Sequence, residues 1–79
     1  NPATTISYAV QAPGRVLLTV HDSSGRRVAV LADGHREAGE HAESWDGRAA
    51  TGTEVRSGVY FVRMTAGDFT ATRKLLLLR

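Results

Sequence analysis

Apolar and polar residues alternate along most of this chain, which is the pattern of strands with one buried face. The first alternating set predicts a strand over about residues 4–11, and a second set predicts a strand that ends at Asp22. No segment repeats apolar residues at the three- and four-residue spacing of an amphipathic helix over a helical length. The pattern therefore predicts a chain built from strands alone.

Short runs of turn-forming residues separate these strands. The run at residues 22–25 favours a hairpin, because Asp and Ser side chains bond neighbouring amides and Gly accepts a left-handed backbone. A third strand over residues 27–32 follows, and we expect Asp33-Gly34 to end it. A fourth strand begins after Gly39, and it places His41, Glu43 and Trp45 on one face before Asp46-Gly47 stops it.

The C-terminal half contains the most strand-like segment. We interpret residues 47–58 as a long connection with one short strand at residues 54–56. Residues 59–65 form an unbroken β-branched and aromatic run, residues 66–68 form a turn, and residues 69–78 make the last strand. Six or seven short strands predict an all-β fold, an immunoglobulin-like antiparallel β-sandwich. With 79 residues, the chain is expected to be a single domain over residues 1–79, the C-terminal part of a larger protein.

Composition and charge exclude several classes of protein. The chain has no cysteine, which removes disulfides, zinc-thiolate sites and thiol nucleophiles. Its ten Lys and Arg residues are scattered and the net charge is only +2, so we expect no nucleic-acid partner. The longest apolar run is four leucines, against about 20 residues for a membrane span. We expect no membrane span and a monomer for the isolated domain.

Side chains that could carry chemistry do not form a recognisable active site. The three histidines, His21, His35 and His41, lack the spacing of ligands on a single element. No serine lies in a nucleophile elbow, and Glu37, Glu40 and Glu43 would align only on a helix, which Gly39 argues against. We therefore expect no enzyme, no catalytic residue, no metal ligand and no cofactor.

Calcium is the one metal for which this expectation has an alternative. Four aspartates lie in predicted turns: Asp22, Asp33, Asp46 and Asp68. The turns at the ends of a sandwich can collect oxygen ligands, although none of these has the length or the terminal glutamate of an EF-hand loop. The favoured interpretation is that each aspartate stabilises its own turn by bonding a nearby amide.

The last residues combine basic and apolar side chains. Four consecutive leucines, residues 75–78, must place apolar groups on both faces of the final strand. Either Leu75 and Leu77 or Leu76 and Leu78 serve the core, and the other pair needs a cover. A neighbouring part of the parent protein is the first candidate for that cover, and recognition of the strand by a partner is the second.

At this point the chain resembles a known family. The N-terminal half carries Thr4-Thr5-Ile6-Ser7-Tyr8 and the spaced set Val16, Leu18, Val20, Asp22, Gly25, Arg26, Val28 and Leu31. The C-terminal half carries Ala38-Gly39, His41, Trp45-Asp46-Gly47-Arg48, Gly52 and Ser57-Gly58-Val59-Tyr60-Phe61 with Arg63 and Met64. These residues are similar to the FlgD-like immunoglobulin domain and to the closely similar C-terminal sorting domain of bacterial type IX secretion. Glu43 departs from the pattern, since the family has an aliphatic residue there, which suggests a wetter face.

The resemblance implies a non-catalytic sorting domain. Such a domain guides an exported bacterial protein through the periplasm to the cell surface or medium, with the secretion machinery or an adjacent domain as partner. The residues expected to carry recognition are Arg73, Lys74, Leu76, Leu78 and Arg79. The alternative is a structural spacer or a flagellar hook-capping module of the FlgD kind, and a carbohydrate-binding module ranks last because it needs a row of exposed aromatic residues.

Three aromatic residues are expected to anchor the core. They are Tyr8, Trp45 and Tyr60. Trp45 is the largest apolar side chain of the chain and should join one sheet to the other. These are scaffold positions, and they expose no active site.

Overall fold

Six antiparallel strands make up the fold in the computed structural model, which describes residues 3–78. The strands are β1 (Thr4–Val10), β2 (Gly14–Asp22), β3 (Arg27–Arg36), β4 (Gly39–Trp45), β5 (Gly58–Ala66) and β6 (Phe69–Leu77). The predicted all-β, immunoglobulin-like antiparallel sandwich is confirmed, with six strands. Residues 3–78 contain no helical segment with the length and apolar character that a membrane crossing requires.

The strands form two sheets of unequal width. The large sheet has the order β3-β2-β5-β6, and the small sheet pairs β1 with β4 alone. All the pairings are antiparallel. Because two strands face four, the small sheet covers only part of the inner face of the large one.

The core lies between the sheets, on the inward side of the alternating strands. Its buried members include all three expected anchors, Tyr8, Trp45 and Tyr60. Trp45 is only 2% exposed, and its ring meets the ring of Tyr60 edge-on at a centroid distance of 5.3 Å. The indole N–H of Trp45 donates to the carbonyl oxygen of Arg48 at 3.0 Å. One side chain therefore joins the small sheet, the large sheet and the following loop.

The hairpin of β2 and β3 is longer than the sequence predicts. The expectation that Asp33-Gly34 ends the third strand is wrong, since β3 continues to Arg36. The reason is that β2 already begins at Gly14, so Gly34 pairs with Val16 and Arg36 pairs with Gly14. Tertiary pairing thus overrides the turn preference of the Asp-Gly pair.

The connection between β4 and β5 folds back on itself. The short strand predicted at residues 54–56 is wrong, because only an isolated bridge joins Arg48 to Glu54 there. The amide of Ala50 donates to the carbonyl oxygen of Val28 at 3.1 Å, which attaches the connection to the edge of β3. The connection therefore covers one end of an otherwise open sheet edge.

Candidate functional site

The predicted recognition segment is divided between the two faces of β6. Leu75 is half-buried and Leu77 is only 1% exposed, so these two leucines serve the core. Leu76 is 58% exposed and Leu78 is 70% exposed. Alternation along the strand places Lys74 on the same outer face as Leu76.

Arg73 does not belong to that outer face. Arg73 lies opposite the buried Val62, on the inner side of β6. Its guanidinium Nη1 donates to the carbonyl oxygen of Ser7 at 3.3 Å. Arg79 lies outside the described residues. The four expected recognition residues that the structure describes therefore do not share one surface.

The outer face of β6 forms an apolar patch together with β5. Leu76 pairs with Val59, and Lys74 pairs with Phe61. Val59 and Phe61 are half-buried. We call this surface the β6 outer patch, and its members are Val59, Phe61, Lys74 and Leu76, together with the exposed Leu78 that directly follows β6. Exposed leucines beside an amphipathic lysine stem form a surface suited to packing against another protein surface.

Each of the three histidines makes a different hydrogen bond, and two of them share Glu37 as a partner. His21 lies between the hydroxyl of Thr19 at 2.9 Å and the carbonyl oxygen of Gly25 at 3.2 Å. A carbonyl oxygen only accepts, so the Nδ1 of His21 carries the proton. His35 contacts the carboxylate of Glu37 at 2.6 Å.

His41 stacks on Tyr8 with a ring centroid distance of 5.5 Å, and its Nε2 donates to the carbonyl oxygen of Glu37 at 2.7 Å. Between residues 3 and 78, no three His, Asp or Glu side chains come together as a metal site.

Two of the four aspartates, Asp22 and Asp46, bond amides of their own turns. Asp22 Oδ1 accepts from the amide of Ser24 at 3.0 Å, from the Ser24 hydroxyl at 2.6 Å and from the amide of Arg26 at 3.0 Å. The Ser24 hydroxyl is the main cause of a lowered Asp22 pKa, and the two amides lower it further. Asp46 accepts from the amide of Arg48 at 3.0 Å, whereas Asp33 bonds Arg15 across the β2–β3 ladder at 3.0 Å.

A partly buried polar network was not expected from the sequence. The Tyr8 hydroxyl donates to Glu43 Oε2 at 2.9 Å, and Arg36 Nη2 donates to the same oxygen at 3.2 Å. Burial is the main cause of a raised Tyr8 pKa, and the Glu43 carboxylate raises it further. The contacts with Tyr8 first and Glu43 second raise the pKa of Arg36. The signal for this network in the sequence was Glu43, because a carboxylate on the inward face of a strand needs a hydrogen-bond donor.

Comparison with known proteins shows which family the chain matches. Residues 3–68 match the family described as the FlgD Ig-like domain. The basal-body rod modification protein FlgD of Salmonella typhimurium is 36% identical over 66 residues, and the same protein of Salmonella typhi is equally similar. The match covers 82% of this chain, and the chain spans only 28% of the length of these relatives.

A solved structure supports the fold. The crystal structure of FlgD from P. aeruginosa superposes with a TM-score of 0.77 at 22% sequence identity. The similarity covers 95% of this chain and 59% of that one. At this level of identity the match shows the sandwich fold and nothing further.

These matches decide between the two families that the sequence resembles. The FlgD resemblance is confirmed, and none of these matches is to a type IX sorting domain. The predicted sorting function is wrong, and so is the predicted delivery through the periplasm to the cell surface or medium, because the relatives are basal-body rod modification proteins. With most of its length matched, the chain belongs to the FlgD Ig-like domain family.

Proposed function

We propose that this chain is a non-catalytic structural module of a longer flagellar protein of the FlgD kind. The observation that carries the proposal is the 36% identity with the basal-body rod modification protein FlgD over 82% of the chain. Since the chain spans 28% of that relative, it would supply one domain, residues 1–79, and other parts of the parent protein would supply the rest. In this role the domain needs a rigid body and a packing surface, with no active site.

The β6 outer patch is the packing surface in this proposal. It lies on the last strand of the large sheet, beside an edge that no other described strand pairs with. Leu76 and Leu78 are both largely exposed, and the half-buried Phe61 extends the apolar area next to them. An adjacent domain or a neighbouring subunit of the parent assembly would bury these side chains, as apolar groups at the centre of an interface are buried.

An in-frame deletion tests the flagellar assignment. In the bacterium that encodes this chain, removing the codons for residues 3–78 from the parent gene should abolish swimming and interrupt the basal-body rod in electron micrographs. The control restores the deleted codons at the same locus. Normal rods and normal swimming after the deletion would contradict the assignment and favour a spacer in a protein of another system.

A pair of single substitutions on one strand face tests the packing surface. Leu76→Lys places a charge in the β6 outer patch, and Thr70→Lys places the same charge on the same face near the other end of β6. Both side chains are exposed, so both variants should fold like the wild type. We expect Leu76→Lys to impair swimming and Thr70→Lys to leave it unchanged. Equal swimming of the two variants would exclude the patch while leaving the flagellar assignment intact.

A further inference from the structure

An open groove runs between the small sheet and the inner side of β6. It has a volume of about 280 Å³, and its floor consists of buried core side chains that include Leu18, Val62 and Met64. One wall is the edge of β1, and the other wall carries Phe69, Ala71 and Arg73 of β6. Phe69 points inward yet stays 56% exposed, because no described strand of the small sheet lies over it. The groove therefore leaves part of the inner side of β6 uncovered.

The wall formed by β1 is an open strand edge. Among the described residues β1 pairs only with β4, so its other edge carries no strand. The carbonyl oxygen of Ser7 accepts from Arg73 and therefore points into the groove. Because backbone groups two residues apart in a strand point the same way, the amides and carbonyls of Thr5, Ser7 and Ala9 all face this side. Such a row is a template for strand pairing.

The positive charge of Arg73 restricts which extended segments the groove can bind. The guanidinium of Arg73 forms no ion pair with any described residue, and its contact with the Ser7 carbonyl is its one hydrogen bond to them. The other groove-lining residues carry no acidic group. A cation beside an apolar floor fits a segment whose inward side chains are apolar except for one carboxylate, since a guanidinium binds a carboxylate more strongly than a carbonyl.

We propose that the groove between β1 and β6 binds an extended segment of a partner protein, with inward apolar side chains and one Asp or Glu, which adds as a third strand to the small sheet. Its backbone pairs with Thr5, Ser7 and Ala9, its apolar side chains cover Phe69 and Ala71, and its carboxylate meets Arg73. This mode of recognition is strand addition at a sheet edge, where main-chain bonds give affinity and alternate side chains give specificity. The inference does not rest on the β6 outer patch, which lies on the opposite face.

A synthetic peptide tests the groove on the 79-residue chain. The probe is the eleven-residue peptide KTVTVTDTVTK, whose valines and aspartate share one face in an extended conformation. Titration at up to about 1 mM is followed by amide NMR and hydrogen exchange. We expect exchange to slow at Thr5, Ser7 and Ala9, with little change at Ile6 and Tyr8, whose amides already face β4. Absence of binding, or binding without this alternation, would overturn the proposal.

Matched variants separate strand addition from nonspecific binding. Ala71→Trp fills the groove and should abolish binding, whereas Thr70→Trp, on the opposite face of the same strand, should leave it intact. Replacing the peptide's aspartate by lysine should weaken binding roughly tenfold. Arg73→Gln should remove the preference for the aspartate peptide over the lysine peptide. If Ala71→Trp fails to fold, this comparison of the two peptides tests the proposal instead. Binding that survives in folded Ala71→Trp, or an aspartate preference that survives Arg73→Gln, would contradict the proposal.

Discussion

Trp45 joins the two sheets through a ring contact with Tyr60 and a hydrogen bond to Arg48. Trp45→Ala is expected to lower the free energy of unfolding by about 3–5 kcal/mol, because it removes a large, almost fully buried side chain. In a 79-residue domain such a loss is a large part of a total of roughly 4–12 kcal/mol. Urea denaturation followed by far-UV circular dichroism measures it without relying on the fluorescence of the tryptophan that is removed.

Two controls distinguish packing from the hydrogen bond. Trp45→Phe keeps an aromatic ring but leaves the Arg48 carbonyl without its indole donor, so we expect a smaller loss of about 1 kcal/mol from the bond. Phe69→Ala removes an aromatic side chain that is already largely exposed, and the expected loss is about 0.5 kcal/mol or less. Equal losses for Trp45→Ala and Phe69→Ala would show that Trp45 does not hold the sheets together.

The partly buried hydroxyl of Tyr8 should make stability fall at high pH. Its pKa is raised above the usual value of about 10, so the folded chain keeps the proton at a pH where the unfolded chain has released it. The contribution is complete below pH 10 and is lost as the pH rises through the folded pKa. Tyr8→Phe should therefore have a flatter profile than the wild type above pH 10 in urea denaturation at a series of pH values.

The matched control is Tyr60→Phe, since it removes another buried phenol while leaving Tyr8 in place. It should keep the alkaline decline that belongs to Tyr8. If wild type and Tyr8→Phe lose stability in parallel above pH 10, the proton on Tyr8 is not linked to folding.

The burial of Trp45 can be predicted from the sequence, whereas some side-chain contacts cannot. The alternation around Trp45 places it on the inward face without any knowledge of the fold, and the structure buries it. The network of Tyr8, Glu43 and Arg36 could not be predicted in the same way. Arg36 reaches Glu43 only because β3 extends past Asp33-Gly34, and local turn chemistry does not reveal that extension.

Among the strands, β6 shows the sharpest contrast in burial between neighbouring residues. Leu77→Ala should lower the free energy of unfolding by about 2–5 kcal/mol, because the side chain is 1% exposed. Leu76→Ala, one residue earlier on the opposite face, should change it by about 0.5 kcal/mol or less. Thermal and urea denaturation of the two variants provide the comparison. Similar losses would mean that the outer face of β6 is also part of the core of this chain.

Strand positions were largely predictable, and strand ends were not. Each of the six strands overlaps a segment that the sequence predicts as a strand. Period-two alternation marks β1 and β2, because one buried face imposes that pattern, whereas an unbroken β-branched and aromatic run marks β5. The end of β3 depends instead on where β2 begins, because each residue past Asp33 is held by a partner on β2. The leucine run had two possible inward pairs by sequence, and the register of β6 with β5 selects Leu75 and Leu77.

The pairing of strands that are distant in sequence cannot be predicted from a local pattern. Alternation predicts that β1 and β4 are strands but not that they pair with each other across two intervening strands. The same limit applies to function. The motifs around Trp45 and Gly58 serve the packing and turns of the sandwich, so they resemble two families with the same fold and do not distinguish a sorting domain from a FlgD module.

The pairing of β1 with β4 should make the cooperative unfolding of the domain depend on β1. A chain that begins at residue 12 lacks β1, so β4 has no partner and the core loses Ile6, Tyr8 and Val10. Since a lone β4 cannot form a sheet, the inner face of the four-stranded sheet loses its cover, and we expect this fragment to lose its cooperative unfolding transition.

Adding a peptide of residues 3–11 in trans should restore that transition in thermal denaturation, because β1 reaches the remainder of the core through noncovalent contacts. The same peptide with Tyr8→Asp is the control and should fail, since it would bury a charge in place of the ring that stacks on His41. Cooperative unfolding of the fragment without any peptide would show that the large sheet is stable alone and that the small sheet only lies on it.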